Sequence, residues 1–205
     1  MRKAGPALTT LALSAAAILG YLAYRWNAQP EGADPAAAAP AASGDSAALA
    51  DSLPEFVLDD LDGQPRGLNT WAGKPMIVNF WATWCAPCLR EIPMLKEFQA
   101  AHPQVQIVGI AMDRLDPVLA FATDMEFNYP VLVGQSEAMD AAASFGVDFF
   151  ALPFTVFAAA DGHVLGVHTG EVHPEHLDNL LSVLGDLDSG LIDMPAARAR
   201  IAGRM

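Results

Sequence analysis

Two cysteines separated by two residues, at the point where an apolar run gives way to a helix-forming segment, constrain this chain more than any other feature. They are the only cysteines among 205 residues. They therefore cannot staple a disulfide-rich scaffold, and no second pair exists to complete a four-thiolate zinc site. The apolar run Met76–Trp81 that precedes them lacks alternation, which predicts a central strand buried on both faces. A helix is predicted over residues 86–101.

This placement makes the pair reactive. A thiol at a helix start faces free backbone N–H groups and the positive end of the dipole, which stabilise the attacking thiolate. Cys85 and Cys88 lie nearly one turn apart, so they can close a disulfide, and Pro87 suits a first helical turn. We expect Cys85 to be the more exposed cysteine and the nucleophile, and Cys88 to be recessed and to resolve the mixed disulfide. Inert cysteines and half of a metal site are the alternatives.

Charge is distributed unevenly along the chain. The net charge is −13, and 53% of residues are hydrophobic, which is too many for a disordered protein. All 24 acidic residues lie between Glu31 and Asp193, where only five basic residues occur, leaving −19 on that stretch. Such a surface repels phosphate backbones, so we expect no nucleic-acid partner. The acidity either keeps the domain soluble or attracts basic partners.

The N-terminus has the pattern of a membrane anchor. Residues 4–24 carry no charge and would span about 31 Å as a helix, which matches a bilayer core. Arg2 and Lys3 precede them, favouring a cytoplasmic N-terminus. We therefore expect residues 1–26 to be an uncleaved signal anchor, with a cleaved signal peptide as the alternative. Residues 27–52 are rich in Ala and Pro and read as a linker.

The remaining segments predict an α/β domain over residues 53–186. The expected element order is ββ, then βαβαβαββα, with Asp161-Gly162 marking a late hairpin. This order predicts a three-layer fold with a central mixed sheet, an N-terminal hairpin extension and an inserted helix. For residues 187–205 we expect a frayed end rather than a surface helix or a segment near anionic lipid.

Several short motifs together carry a family resemblance. They are Gly73-Lys74-Pro75, the run from Asn79 to Cys88, Glu91-Ile92-Pro93, Leu152-Pro153-Phe154-Thr155, Asp161-Gly162 and Gly170. On these residues the chain resembles the thioredoxin superfamily, and most closely its membrane-anchored extracytoplasmic TlpA/ResA/CcmG branch. The resemblance implies a thioredoxin fold and a thiol–disulfide oxidoreductase whose redox-active Cys85–Cys88 disulfide takes the place of a cofactor, with no metal.

The resemblance also implies roles for individual residues. Glu91 sits on the helix face of Cys88 and would take or return a proton, although a solvated surface Glu is the alternative. Asn79 replaces the buried Asp of cytoplasmic thioredoxins, which strengthens the case for Glu91. Pro93 is expected to kink the helix.

Substrate contacts follow from the same resemblance. Pro153 matches the family's cis-proline, which would let the backbone of Leu152 pair with an extended substrate; an ordinary strand-entry proline is the alternative. Trp84, Ala86 and Pro87 would complete the substrate surface. Trp81 is expected in the core.

Other candidate residues have weaker support. Phe149 and Phe150 either widen an apolar docking patch or pack in the core. Four histidines are close in sequence, which hints at a metal site: His163, His168, His173 and His176. Two lie on a predicted hairpin and two flank a helix start, so we expect them not to converge.

The most favoured function is reduction of selected disulfides on the periplasmic side of a bacterial inner membrane, by a single-pass protein. The resemblance implies a membrane thiol transporter as electron donor, and cysteines of apocytochrome c or of an oxidase copper site as substrates. A disulfide oxidant or isomerase and a non-enzymatic assembly module stay open. A thiol peroxidase is disfavoured because Ala82 and Val78 stand where that class needs Thr and Pro.

Overall fold

One mixed sheet organises the computed structural model, which describes residues 49–147 and 151–204. Its strands in the described residues are β1 (Leu58–Asp60), β2 (Pro65–Arg66), β3 (Met76–Trp81), β4 (Gln106–Met112), β5 (Val131–Gly134), β6 (Phe154–Ala158) and β7 (Val164–Thr169). They lie in the order β2-β1-β5-β4-β3-β6-β7. β3, β4 and β5 run parallel, whereas the other pairings are antiparallel. The predicted mixed sheet and N-terminal hairpin are confirmed.

Helices cover both faces of this sheet. They are α1 (Ala86–Ala101), α2 (Leu115–Met125), α3 (Ser136–Ser144), α4 (Pro174–Asp188) and α5 (Met194–Ala202), with a 3-10 turn at Leu68–Trp71. On one face Ile77 and Trp81 pack with α1, α2, α4 and α5, and on the other Phe80 packs with α3. All six residues of β3 are consequently buried, as the lack of alternation predicted, and the three-layer architecture is confirmed.

The C-terminal segment corrects our expectation of a frayed end. α5 buries Ala197 and Ile201 completely, and Ile201 lies so close to β7 that a Cβ on Gly166 would come within 2.6 Å of its Cγ2 atom. Arg198 donates to the Val164 carbonyl at 2.8 Å and pairs with Asp51 at 2.8 Å. The apolar side of this short helix therefore belongs to the core, which a local reading of an Ala- and Arg-rich tail could not detect.

Some predictions lie outside the described residues. These are the anchor over residues 1–26, most of the linker, and the aromatic pair Phe149 and Phe150. Within the described ranges, the helices are too short or too polar to cross a bilayer.

Candidate active site

The cysteine pair lies where β3 ends and α1 begins. Cys85 is the N-cap of α1, and its Sγ atom accepts a hydrogen bond from the Cys88 backbone N–H at 3.3 Å. Pro87 is in the first turn, where a missing N–H leaves no bond unmade. The two cysteines form a disulfide with their Cα atoms 5.3 Å apart. Cys85 is 5% exposed and Cys88 fully buried, so Cys88 is the more recessed of the two.

The turn that presents the cysteines is fixed from a neighbouring strand. Asp113, directly after β4, accepts hydrogen bonds from both the backbone N–H and the hydroxyl of Thr83 through its Oδ2 atom. The Cys85 backbone N–H donates to the Ala82 carbonyl at 3.1 Å. Our reading of the sequence missed Asp113, because a single Asp after a strand carries no signal that it reaches 30 residues back to the motif.

A buried polar network lies one helical turn beyond Cys88. Glu91 is 1% exposed, and its Oε1 atom accepts from the Asn79 amide Nδ2 at 2.8 Å. The same Asn79 nitrogen donates to the Thr155 hydroxyl at 2.9 Å. The Val172 backbone N–H donates to Glu91 Oε2 at 2.6 Å. Glu91 is therefore a buried, hydrogen-bonded carboxyl, and the alternative of a solvated surface residue is wrong.

Burial dominates the proton affinity of this carboxyl. It raises the pKa of Glu91 from 4.5 to about 7, against the opposing hydrogen bonds from Val172 and Asn79, while the nearby charge of Glu171 adds to the rise. Burial, and secondarily the charge of Glu91, also raises the pKa of Tyr129. A carboxyl with a pKa near neutrality exchanges its proton readily at physiological pH.

The Pro153 loop and the residues after β7 complete the surroundings. The Leu152–Pro153 peptide bond is cis, as predicted. The Pro153 carbonyl accepts from the Gly170 N–H at 2.8 Å, two residues before Val172. Sequence reasoning noted Gly170 only as part of the resemblance and missed Val172, because a backbone donor leaves no side-chain signature.

The outer surface of the site is apolar and open. Trp84 is 70% exposed, Ala86 is exposed, and Pro87 and Leu152 are half-buried. Trp81, in contrast, is fully buried and packs against Phe121 and Phe127. The predicted separation of a core Trp from a surface Trp is thus confirmed.

The histidines differ from our expectation. The rings of His168 and His176 lie 4.2 Å apart, and those of His173 and His176 lie 5.7 Å apart, so three of the four do converge. The His173 backbone N–H donates to His176 Nδ1, and His168 Nε2 lies 3.1 Å from the Glu171 carbonyl. The start of α4 folds back against β7, which sequence spacing could not reveal. The part of the chain described contains no cluster of three or more His, Cys, Asp or Glu side chains able to hold a metal ion.

Comparison with known proteins agrees with this site. The Redoxin family model matches residues 48–184. Thiol-disulfide oxidoreductase ResA of Geobacillus kaustophilus is 29% identical over 137 residues, covering 65% of this chain and 76% of that protein. A thioredoxin-family thiol:disulfide interchange protein from Chlorobium tepidum TLS superposes with a TM-score of 0.58 at 30% identity, covering 65% of this chain and 94% of that chain.

A third relative is a secreted thiol-disulfide isomerase from Corynebacterium glutamicum, with 28% identity and a TM-score of 0.58 over 65% of this chain and 85% of that chain. A thioredoxin-like fold that presents a dithiol pair at the start of α1 defines a thiol–disulfide oxidoreductase. The chain belongs to the Redoxin family, and within the thioredoxin superfamily it is a TlpA/ResA/CcmG-type protein.

Proposed function

We propose that this oxidoreductase is a reductase of selected protein disulfides, tethered to a bacterial inner membrane with its catalytic domain in the periplasm. The location rests on the positively charged N-terminus and the uncharged residues 4–24. The description of the Corynebacterium relative as secreted agrees with it. Disulfides persist in such a compartment, so the protein needs an electron donor there.

The observation that carries the reductase assignment is the charge buried beside the dithiol. Five polar or charged side chains are buried in the described part of the chain, and Glu91 is the one acid among them, with no Lys or Arg. Its position three residues after Cys88 puts the two Cβ atoms about 5–6 Å apart. A negative charge near a thiolate disfavours it. A less stabilised thiolate makes the dithiol a better electron donor, since strong oxidants of this class owe their potential to a stabilised reduced form.

The reaction proceeds by two exchanges. The Cys85 thiolate attacks one sulfur of the substrate disulfide, which forms a mixed disulfide and releases the other sulfur as a thiolate. Cys88 then gives its proton to the Glu91 carboxylate and attacks Cys85 Sγ, releasing the second substrate thiolate. The substrate gains two electrons and the enzyme becomes the Cys85–Cys88 disulfide. Glu91 returns its proton when the disulfide is reduced again.

The outer surface binds the substrate backbone. Trp84, Ala86, Pro87 and Leu152 supply an apolar patch near Cys85, whereas Pro153 itself is buried. The backbone of Leu152 offers an extended segment to which a substrate strand can add. The redox-active disulfide serves in place of a cofactor.

Partners follow from the resemblance stated above. We assign electron delivery to a membrane thiol transporter, and the substrates to the cysteines of apocytochrome c or of an oxidase copper site. The acidic domain surface would favour basic substrates through long-range attraction.

A trapping experiment tests the proposal. In Cys88→Ala the mixed disulfide on Cys85 cannot resolve, so partners accumulate and can be identified by mass spectrometry, with Cys85→Ser as the matched variant that traps none. The reduction potential of the intact protein is measured alongside. A value near that of thioredoxins, about −270 mV, supports a reductase, whereas one near −120 mV indicates an oxidant and contradicts it.

A further inference from the structure

The three residues after β7 form a strap over the inner side of the site, and we use that name for residues 170–172. At one end the Gly170 N–H donates to the Pro153 carbonyl at 2.8 Å. At the other end the Val172 N–H donates to Glu91 Oε2 at 2.6 Å. The strap therefore joins the substrate-facing Pro153 loop to the buried carboxyl.

The middle residue of the strap makes a second contact to α1. The Glu171 carboxylate binds the Arg90 guanidinium, with Nη2 at 2.5 Å and Nε at 3.1 Å from the same oxygen, Oε2. Arg90 directly precedes Glu91, and Glu171 directly precedes Val172. Two neighbouring contacts thus cross the boundary between α1 and the strap, which we call the seam. They are the outer Arg90–Glu171 ion pair and the inner hydrogen bond from Val172 to Glu91. His168 holds the same strap from β7, with its Nε2 atom 3.1 Å from the Glu171 carbonyl.

We propose that Arg90 and Glu171 are positioning residues for Glu91: beside the hydrogen bond from Val172 to the Glu91 carboxylate, their ion pair keeps a second negative charge close to that carboxylate. Arg90 neutralises much of that charge, so the two residues act on Glu91 in opposite directions. An isolated ion pair of this exposure, 61% for Arg90 and 22% for Glu171, adds little stability. Its effect lies in the proton affinity of its neighbour, and this inference rests on the proposed proton-transfer role of Glu91.

The described residues place both uncharged partners and ionisable groups around Glu91. The partners from β3 and β6 are the uncharged side chains of Asn79 and Thr155. The remaining titratable or charged neighbours are Tyr129 before β5, Cys85 and Cys88 at the start of α1, Arg90 and Glu171 at the seam, and His168 behind the strap. In the oxidised protein the cysteines do not titrate, so the seam can be tested without them.

The test compares Glu171→Gln with Arg90→Gln in the full-length oxidised protein. Carbon-13 NMR of the Glu91 side-chain carboxyl gives its titration midpoint directly. Removing the Glu171 charge should lower the midpoint by about half a pH unit, whereas removing the Arg90 charge should raise it by a similar amount. A purely structural role would move both variants in the same direction or neither. The reversed pair, R90E with E171R, should return the midpoint towards that of the wild type.

A similar ion pair at the opposite edge of the sheet supplies the control. Arg66 and Asp60 meet at 2.9 Å with side-chain exposures of 44% and 17%, and Arg66→Gln should leave the Glu91 midpoint unchanged. Opposite shifts at Arg90 and Glu171 support the proposal. Shifts of the same sign, or no shift, overturn it.

The rate of disulfide reduction against pH separates this inference from the proposed function. If the NMR midpoints shift as expected but the rate profiles do not follow them, positioning stands and the proton-transfer role of Glu91 fails. If the midpoints do not move while Glu91→Gln still slows the reaction, the positioning inference fails and the proposed function stands.

Discussion

The inner and outer halves of the site, although both begin on the first turns of α1, are built in opposite ways. The inner half is buried and hydrogen-bonded around Glu91, with partners on β3, β6 and the strap, although the buried Asn79 Oδ1 atom has no partner among the described residues. The outer half exposes 70% of the Trp84 side chain. The hydrogen bonds of Glu91 and Asn79 fix the geometry of the inner half, whereas the outer half leaves apolar surface exposed. In the proposed function, proton transfer and substrate recognition are thereby separated within one helical turn.

The largest effect on this contrast should come from replacing Asn79, which hydrogen-bonds to both Glu91 and Thr155 in the inner half. In Asn79→Ala, Glu91 and Thr155 each lose a donor in a buried site, which should lower the free energy of unfolding by about 3 kcal/mol. Chemical denaturation measures it. Asn179→Ala is the matched control, because that residue is also buried but makes a single long bond of 3.4 Å to the Arg200 carbonyl. Equal losses in both variants would mean that the network is no more than ordinary packing.

The next effect is a pH dependence of stability. The folded pKa of Glu91, about 7, exceeds its ordinary value of 4.5, so the folded protein holds this proton more tightly than the unfolded chain. The free energy of unfolding of the oxidised protein should therefore fall by about 2–3 kcal/mol as pH rises from 4.5 to 7. Denaturation curves across this range measure the slope, which Glu91→Gln should remove.

Two comparisons make that result specific. Burial lowers the pKa of His176, so its contribution rises with pH instead, but it cancels when the variant is subtracted from the wild type. Glu97→Gln, at an exposed position on the same helix, should keep the full slope. If the pH dependence of the free energy of unfolding survives in Glu91→Gln, a group other than Glu91 is responsible for it.

The smallest effect on the fold should come from the outer half. Trp84→Ala removes a mostly exposed ring, so the free energy of unfolding should change by no more than about 0.5 kcal/mol. For a protein substrate identified by the trapping experiment, the rate of reduction should fall about tenfold. For a small aromatic disulfide, the rate should not change. Leu191→Ala, which removes another large side chain that is 75% exposed, should affect neither. A Trp84 variant that slowed both substrates equally would place the ring in the chemistry rather than in recognition.

Local sequence patterns were enough for much of the fold. The unbroken apolar run of β3 predicted burial on both faces, and the element order predicted a three-layer sheet, because strand and helix periodicities are carried by near neighbours. The tail was predicted wrongly for the converse reason. Ile201 of the tail packs closely against Gly166 of β7, and no pattern within α5 indicates that contact.

The same distinction between local sequence patterns and distant contacts applies to the candidate active site. The sequence by itself determined the reactive pair, because a dithiol between a strand end and a helix start carries its own chemistry, and it pointed to Glu91 and to the cis-proline through the family motif. Only the tertiary structure decided that Glu91 is buried, that Asn79 and Val172 are its partners, that Arg90 and Glu171 cross the same seam, and that His168 meets His176. Val172 and Glu171 lie 81 residues along the chain from their partners on α1. The proton affinity of the carboxyl depends on dehydration and distant donors, which exist only once the strands and the strap have come together.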